Sequence, residues 1–295
     1  MSVGTRMLGI AFAALVACSA GGQTRRAADY DRLLLPFHTA VPSGGGSWFV
    51  QWWVRNDGAD PVDVFPLAYE CGLPPPEPGV SIASYPAVPP RRTLACLAGD
   101  ALPSVPVPPF IPIRNSTGAF LFVERNRQEL SVAGSITWFS PAGAGEPAHL
   151  NAVPAASFQG GTASILPVSL EANTRYAIRV YALPETVDAT SVTVNIFDLQ
   201  PRPVFSADER FIATFTSDFR FQAPALPPCR GTCDVPEVEL APAIVEFLNF
   251  PLPELQGSAA TPLRVEIAPS SPNVRWWAVV SATDNDTQRV RLFQP

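Results

Sequence analysis

The sequence predicts an all-β protein, and three observations carry that prediction. Apolar and polar residues alternate at period two along most of the chain, as in strands that bury one face. The i, i+3, i+4 apolar spacing of amphipathic helices is almost missing. A total of 34 prolines and 19 glycines punctuate the alternating segments about every 8–15 residues, the rhythm of a β-sandwich. Together these point to two antiparallel β-sandwich, immunoglobulin-like units with proline-rich crossovers, following an N-terminal signal peptide.

Residues 1–22 read as the signal peptide. Arg6 is the positive n-region, and the eleven residues from Met7 to Ala17 form an apolar h-region too short to span a bilayer. Ser19/Gly21 and Ala20/Gly22 supply the small residues that signal peptidase requires. Leu15-Val16-Ala17-Cys18 also fits a bacterial lipobox, in which Cys18 carries the anchoring lipid. The sequence leaves both outcomes open at Cys18. Either outcome makes the protein extracytoplasmic: secreted, periplasmic or anchored at the outer membrane. After residue 17 no apolar run is long enough for a transmembrane helix.

The first unit, residues 29–160, opens on the clearest strand, Trp48–Arg55. Its even positions read Trp, Val, Trp, Val and its odd positions Phe, Gln, Trp, Arg. Asn56 to Asp60 supply turn residues, so a hairpin to Val62–Leu67 is expected. Ala119–Glu124 and Leu130–Phe139 read as a second hairpin. The second unit, residues 161–295, repeats the plan. Ala163–Val168 opens it, Arg175–Leu183 turns into Ser191–Leu199, and Phe211–Phe221 follows. Leu263–Ala268 then turns into Val274–Thr283, and Arg289–Phe293 closes the chain. Only Ala241–Phe250 leaves a short helical turn in competition with a strand. Each unit thus reads as hairpin, proline-rich crossover with two cysteines, hairpin, with a joint at Gln159-Gly160-Gly161.

Gly72 to Pro112 is dense in proline, which removes ladder donors, so it cannot be a central strand and is expected to run over the surface. Pro224 to Pro236 repeats the device. Setting Cys18 aside leaves an even set of four cysteines, which in an oxidising compartment implies disulfides. Three connectivities exist, and the local one, Cys71–Cys96 with Cys229–Cys233, closes the smallest loops. The first bridge would contribute about 3 kcal/mol. Cys229 and Cys233 lack CxxC spacing and a nearby histidine, which argues against zinc or redox chemistry.

Two stretches carry a resemblance. Ser43-Gly44-Gly45-Gly46-Ser47-Trp48 leads a strand that ends at Asn56, and Trp277-Ala278-Val279-Val280-Ser281-Ala282-Thr283-Asp284-Asn285-Asp286-Thr287-Gln288 lies near the C-terminus. Both are similar to an uncharacterised family of secreted bacterial β-sandwich modules, with a glycine-rich, Trp-led strand and a closing hairpin. The resemblance spans Tyr30 to Pro295 loosely and implies an accessory or surface role. It brings no catalytic residues, and the proline-rich cysteine loop departs from the family pattern.

Composition narrows the chemistry. Net charge is −6, and all 20 basic residues are arginine. No basic field exists to attract a phosphate backbone, so no nucleic-acid partner is expected. Without lysine there is no Schiff base and no P-loop. No GxSxG elbow is present, and the two histidines, His38 and His149, have no motif neighbours. The carboxylates Glu124, Glu171, Asp198, Glu246 and Glu266 mostly flank strand ends. Asp284-Asn285-Asp286 and Asp57-Gly58-Ala59-Asp60 could offer oxygens to calcium, but both read better as turns. The sequence therefore assigns no catalytic residue, metal or cofactor.

Two adjacent pairs remain, Trp52-Trp53 and Trp276-Trp277. Neighbouring strand residues face opposite sides, so parity puts Trp52 and Trp276 inward and Trp53 and Trp277 outward. An outward indole can stack on a sugar or a partner protein, or be covered by a loop or the sister unit. Trp53 and Trp277 are the candidate ligand-binding residues. The expected function is an exported, non-catalytic surface or binding module for a protein or glycan partner. A carbohydrate-binding protein using these tryptophans, or a glycosidase assembling carboxylates in space, are the rival readings.

Overall fold

The computed structural model describes residues 30–37, 41–43, 46–62, 64–65, 88–97, 118–169, 171, 173–201, 207–221, 242–248 and 262–295. Cys18, Cys71, Cys229, Cys233 and His38 lie outside these residues, and Cys96 is described in its backbone only. No α-helix occurs among the described residues. Among them no helix is long and apolar enough to cross a membrane.

The first ten strands are β1 (Tyr30–Pro36), β2 (Val41–Ser43), β3 (Gly46–Asn56), β4 (Val64–Phe65), β5 (Arg92–Leu97), β6 (Gly118–Glu124), β7 (Leu130–Ser140), β8 (Gly143–Ala144), β9 (Ala148–Asn151) and β10 (Val153–Pro154). They form two antiparallel sheets. Sheet 1 has the order β10-β1-β6-β4. In sheet 2, β3 and β7 are central, with β2 and β5 beside β3 and β8 and β9 beside β7. The next ten are β11 (Gln159–Gly160), β12 (Ala163–Ser169), β13 (Thr174–Ala182), β14 (Ser191–Pro201), β15 (Ala207–Asp218), β16 (Arg220–Phe221), β17 (Ala243–Leu248), β18 (Pro262–Pro269), β19 (Arg275–Asp284) and β20 (Val290–Phe293). Sheet 3 has the order β11-β19-β13-β17-β16, with β20 also paired to β19, and sheet 4 the order β12-β18-β14-β15.

The expected hairpins are not hairpins. β3 lies in sheet 2 and its successor β4 pairs with β6 in sheet 1, while β6 and β7 likewise fall in different sheets. In the second half β13 and β14 separate into sheets 3 and 4, as do β18 and β19. All four connections are arches between facing sheets. Alternation states that a strand buries one face, not whether the next strand lies beside it or across the core. These connections exceed the two residues of a tight hairpin, long enough to cross the ~10 Å between sheets. Asn56 builds the first arch. It is fully buried, its Nδ2 donates to the carbonyls of Asp60 (2.7 Å) and Val88 (3.0 Å), and its Oδ1 accepts from Gly58 N (2.9 Å). True hairpins occur at β14–β15 and β19–β20.

Three further corrections concern single segments. Arg92–Leu97, inside the proline-rich stretch, is a strand at the flank of β3, with Cys96 in register with Trp52. It carries no proline of its own, so its ladder donors are intact. The segment expected over Phe211–Phe221 begins at Ala207 and breaks at Phe219 into β15 and β16, which join different sheets. Ala243–Leu248 is a strand, paired with β13 over six positions, and not a helical turn.

Two hydrophobic clusters hold the sheets together. One lies between sheets 3 and 4, with Trp276, Ile178, Val194, Ile196 and Val265 at its centre. The other joins sheets 1 and 2 and also takes in Tyr181, Ile244, Trp277 and Val279 from sheet 3. Sheet 1 is therefore covered on both faces. Its Leu34, Phe120 and Gly118 side meets sheet 3, where a Cβ on Gly118 would lie 2.6 Å from the Tyr181 ring. On the same side Arg32 pairs with Glu185 and lies 4.8 Å from the Phe120 ring centre. Its opposite side, with Leu35, Leu121 and Val123, meets the inward row Val50, Trp52 and Val54 of sheet 2. The layers thus run sheet 2, sheet 1, sheet 3, sheet 4, and among the described residues only sheets 2 and 4 have an outer face that no other sheet covers. Gln159-Gly160, the expected joint, is stitched into sheet 3 as β11, opposite Trp276 and Arg275.

Candidate functional site

Parity places the tryptophans, and the layers decide their exposure. Trp52 and Trp276 are fully buried. Trp277 does leave its own cluster, but sheet 1 covers it: it is 7% exposed and its ring lies 5.9 Å from that of Tyr181. Burial puts this candidate out of a ligand's reach. Beside it Arg179 bonds Glu246 at 2.8 Å and lies 4.8 Å from the Phe37 ring centre. Burial pushes the Tyr181 phenol far above its ordinary range, which leaves it protonated at any ordinary pH.

Trp53 stands on the outer face of sheet 2, half-buried, in register with Ala95 and with the exposed Ala133. Four residues back on β3, Phe49 meets Phe139 of β7 edge to face, with ring centres 5.2 Å apart. Phe139 is 43% exposed. Cross-strand partners share a face, so the register also brings Gln51, Thr137, His149 and Asn151 to this side. His149 and Asn151 are exposed. No outward position of β3, β7 or β9 is an Asp or Glu. The charge of Arg55 is engaged by Asp57 at 2.6 Å and by the Thr93 hydroxyl at 3.2 Å. Sheet 2 thus exposes an aromatic and neutral-polar surface. Sequence reading found Trp53 by parity, but Phe49, Phe139, His149 and Asn151 come together only through strand register.

Its floor needs a bare backbone. A Cβ on Gly46 would meet the Phe139 carbonyl oxygen at 2.3 Å, and one on Gly134 would meet the Trp52 ring at 2.6 Å. Glycine at these two positions lets β3 and β7 close over the inward tryptophans.

The outer face of sheet 4 differs in charge. Arg264 lies 4.0 Å from the centre of the Phe197 ring and bonds both Glu209 (2.6 Å) and Glu266 (2.7 Å). Phe211 meets Phe197 edge to face at 5.8 Å. The guanidinium therefore occupies the phenylalanine face that a ligand would use. Hydrogen bonds from Arg264 hold both Glu209 and Glu266 below the ordinary carboxylate range, with Asn195 adding to the effect on Glu266. Such carboxyls are ionised at neutral pH and make poor general acids.

The remaining carboxylates are dispersed. Glu124 pairs with Arg127 at 3.1 Å, Glu171 with Arg291, and Glu246 with Arg179 between the layers. Asp198 is buried on the inward side of sheet 4. Asp284 is occupied as a turn: its Oδ1 accepts from Thr287 N (2.7 Å), Thr287 Oγ1 (2.8 Å) and Asp286 N (3.0 Å). Those bonds hold its carboxyl below the usual range. Among the described residues no group of three or more His, Cys, Asp or Glu could hold a metal ion. Comparison with known proteins adds no relative: no family model, no curated protein and no solved structure matches this chain.

Proposed function

We propose that this chain is an exported, non-catalytic binding module whose contact face is the outer side of sheet 2. One observation carries the reading: sheets 1 and 3 are covered on both sides, and of the two outward sheets the described outer face of sheet 2 sets aromatic rings beside uncharged polar groups with no carboxylate at the outward positions of β3, β7 and β9, whereas sheet 4 stacks Arg264 on Phe197 and holds it there with Glu209 and Glu266. Dispersed, arginine-paired carboxylates and an exposed His149 without a charged partner in its register support the absence of an active site. The export half rests on residues 1–22, and the resemblance of Ser43–Asn56 and Trp277–Gln288 to secreted modules agrees with it.

Two measurements test this. A screen of the purified mature chain against glycan, ester and peptide substrates is expected to show no turnover. Turnover lost in Glu266→Gln or His149→Ala, with the fold intact, would overturn the non-catalytic reading. In cell fractions the chain is expected outside the cytoplasm. Build-up of unprocessed precursor under globomycin identifies a lipid on Cys18, and unchanged processing to a soluble product identifies ordinary cleavage. A chain kept in the cytoplasm refutes export.

A further inference from the structure

We propose that the outer face of sheet 2 binds an uncharged, extended glycan laid along β3; this deepens the binding-face reading and rests on it. Sugars present apolar C–H faces that stack on aromatic rings and hydroxyl rims that need hydrogen-bonding partners. Sheet 2 supplies both in alternation. Trp53 on β3 and the Phe49–Phe139 pair across β3 and β7 form two aromatic stations, anchored on β3 at Trp53 and Phe49. They are four residues apart, about 13 Å by strand rise. Between and beside them lie Gln51, Thr137, His149 and Asn151, which can donate to and accept from hydroxyls.

Charge selects the polymer. In a chain of net charge −6, the outward positions of β3, β7 and β9 hold no carboxylate, so a cationic glycan finds no partner there. Arg55 is already paired with Asp57, so an anionic glycan or nucleic acid finds no free cation on these strands. A neutral polymer is the ligand such a face complements.

The test uses the full mature protein and measures retention on insoluble neutral polysaccharides (cellulose, chitin, xylan, starch), with polygalacturonate as the anionic control. Retention on at least one neutral polymer is expected. Trp53→Ala and Phe139→Ala should each weaken it about tenfold or more, with thermal midpoints close to wild type for the exposed Phe139→Ala. Phe211→Ala on sheet 4 should bind within about twofold of wild type. No retention on any neutral polymer, or retention on polygalacturonate alone, overturns the glycan assignment. Glycan binding lost in Phe211→Ala but kept in Trp53→Ala and Phe139→Ala overturns the choice of sheet 2 itself. Binding of a peptide or protein that requires Trp53 and Phe139, with no glycan bound, refutes the glycan and leaves the sheet 2 face standing.

Discussion

Replacing Trp276 with alanine is expected to destabilise the protein by about 3–5 kcal/mol, the range for emptying a large aromatic site in a close-packed core. The indole is fully buried among the side chains between sheets 3 and 4. It also fixes the start of the second half of the chain, because its Nε1 donates to the Gly161 carbonyl at 2.8 Å. Gly161 has φ of +70°, a backbone state that glycine adopts without strain. The alanine variant therefore opens a cavity and leaves that carbonyl without its partner. Trp276→Phe should recover most of the packing and lose the bond, for a net cost of about 1–2 kcal/mol. Chemical denaturation with an unchanged slope would measure both. A loss below about 1 kcal/mol for the alanine variant would show that the neighbouring chains collapse into the gap.

Trp277→Ala is expected to lower thermal stability by about 10 °C, corresponding to roughly 3–5 kcal/mol for a chain of this size. It should do so without changing retention on any ligand, measured where the variant is still folded. Trp277 belongs by strand to sheet 3 and by packing to the cluster around sheets 1 and 2, against Tyr181. Its loss loosens the contact between layers. Wild type is expected to unfold in one calorimetric transition, because sheet 1 shares apolar surface with sheet 3 as well as sheet 2. Two separated transitions in Trp277→Ala would show that this interface carries the cooperativity. A variant with unchanged stability and lost ligand binding would instead return Trp277 to the role of ligand contact.

Much of the strand content was legible. β3, β7, β13, β14 and β18 each alternate because each buries at least one regular side-chain row, and a row of fixed period is written in the residue order; β19, buried on both faces, shows instead as an apolar run between turn residues. β1 was not legible. Leu33, Leu34 and Leu35 show no alternation, because sheet 1 is covered on both faces and every position there gains from being apolar. The short strands β2, β8, β10 and β11 are two or three residues long, too brief for any period to show.

The candidate face divides in the same way. Local order puts Trp53 opposite Trp52 across the backbone, so its outward direction follows from the sequence. Phe139 and His149 lie far away in the chain and reach Trp53 only through the β3–β7 and β7–β9 registers.

By itself, then, the sequence determined the β class, the inward and outward rows of the main strands, and a negative, lysine-free surface. Those are local properties: a residue's side of its own strand depends on its neighbours along the chain. Tertiary structure alone decided which strands pair, that the expected hairpins are arches, and that Trp277 is buried while Trp53 is only half-buried. Partner choice depends on burial summed over surfaces distant in sequence, and a short stretch holds no record of what will lie across from it. Trp53 and Trp277 satisfy the same local rule, and only the layer packed on sheet 3 separates them.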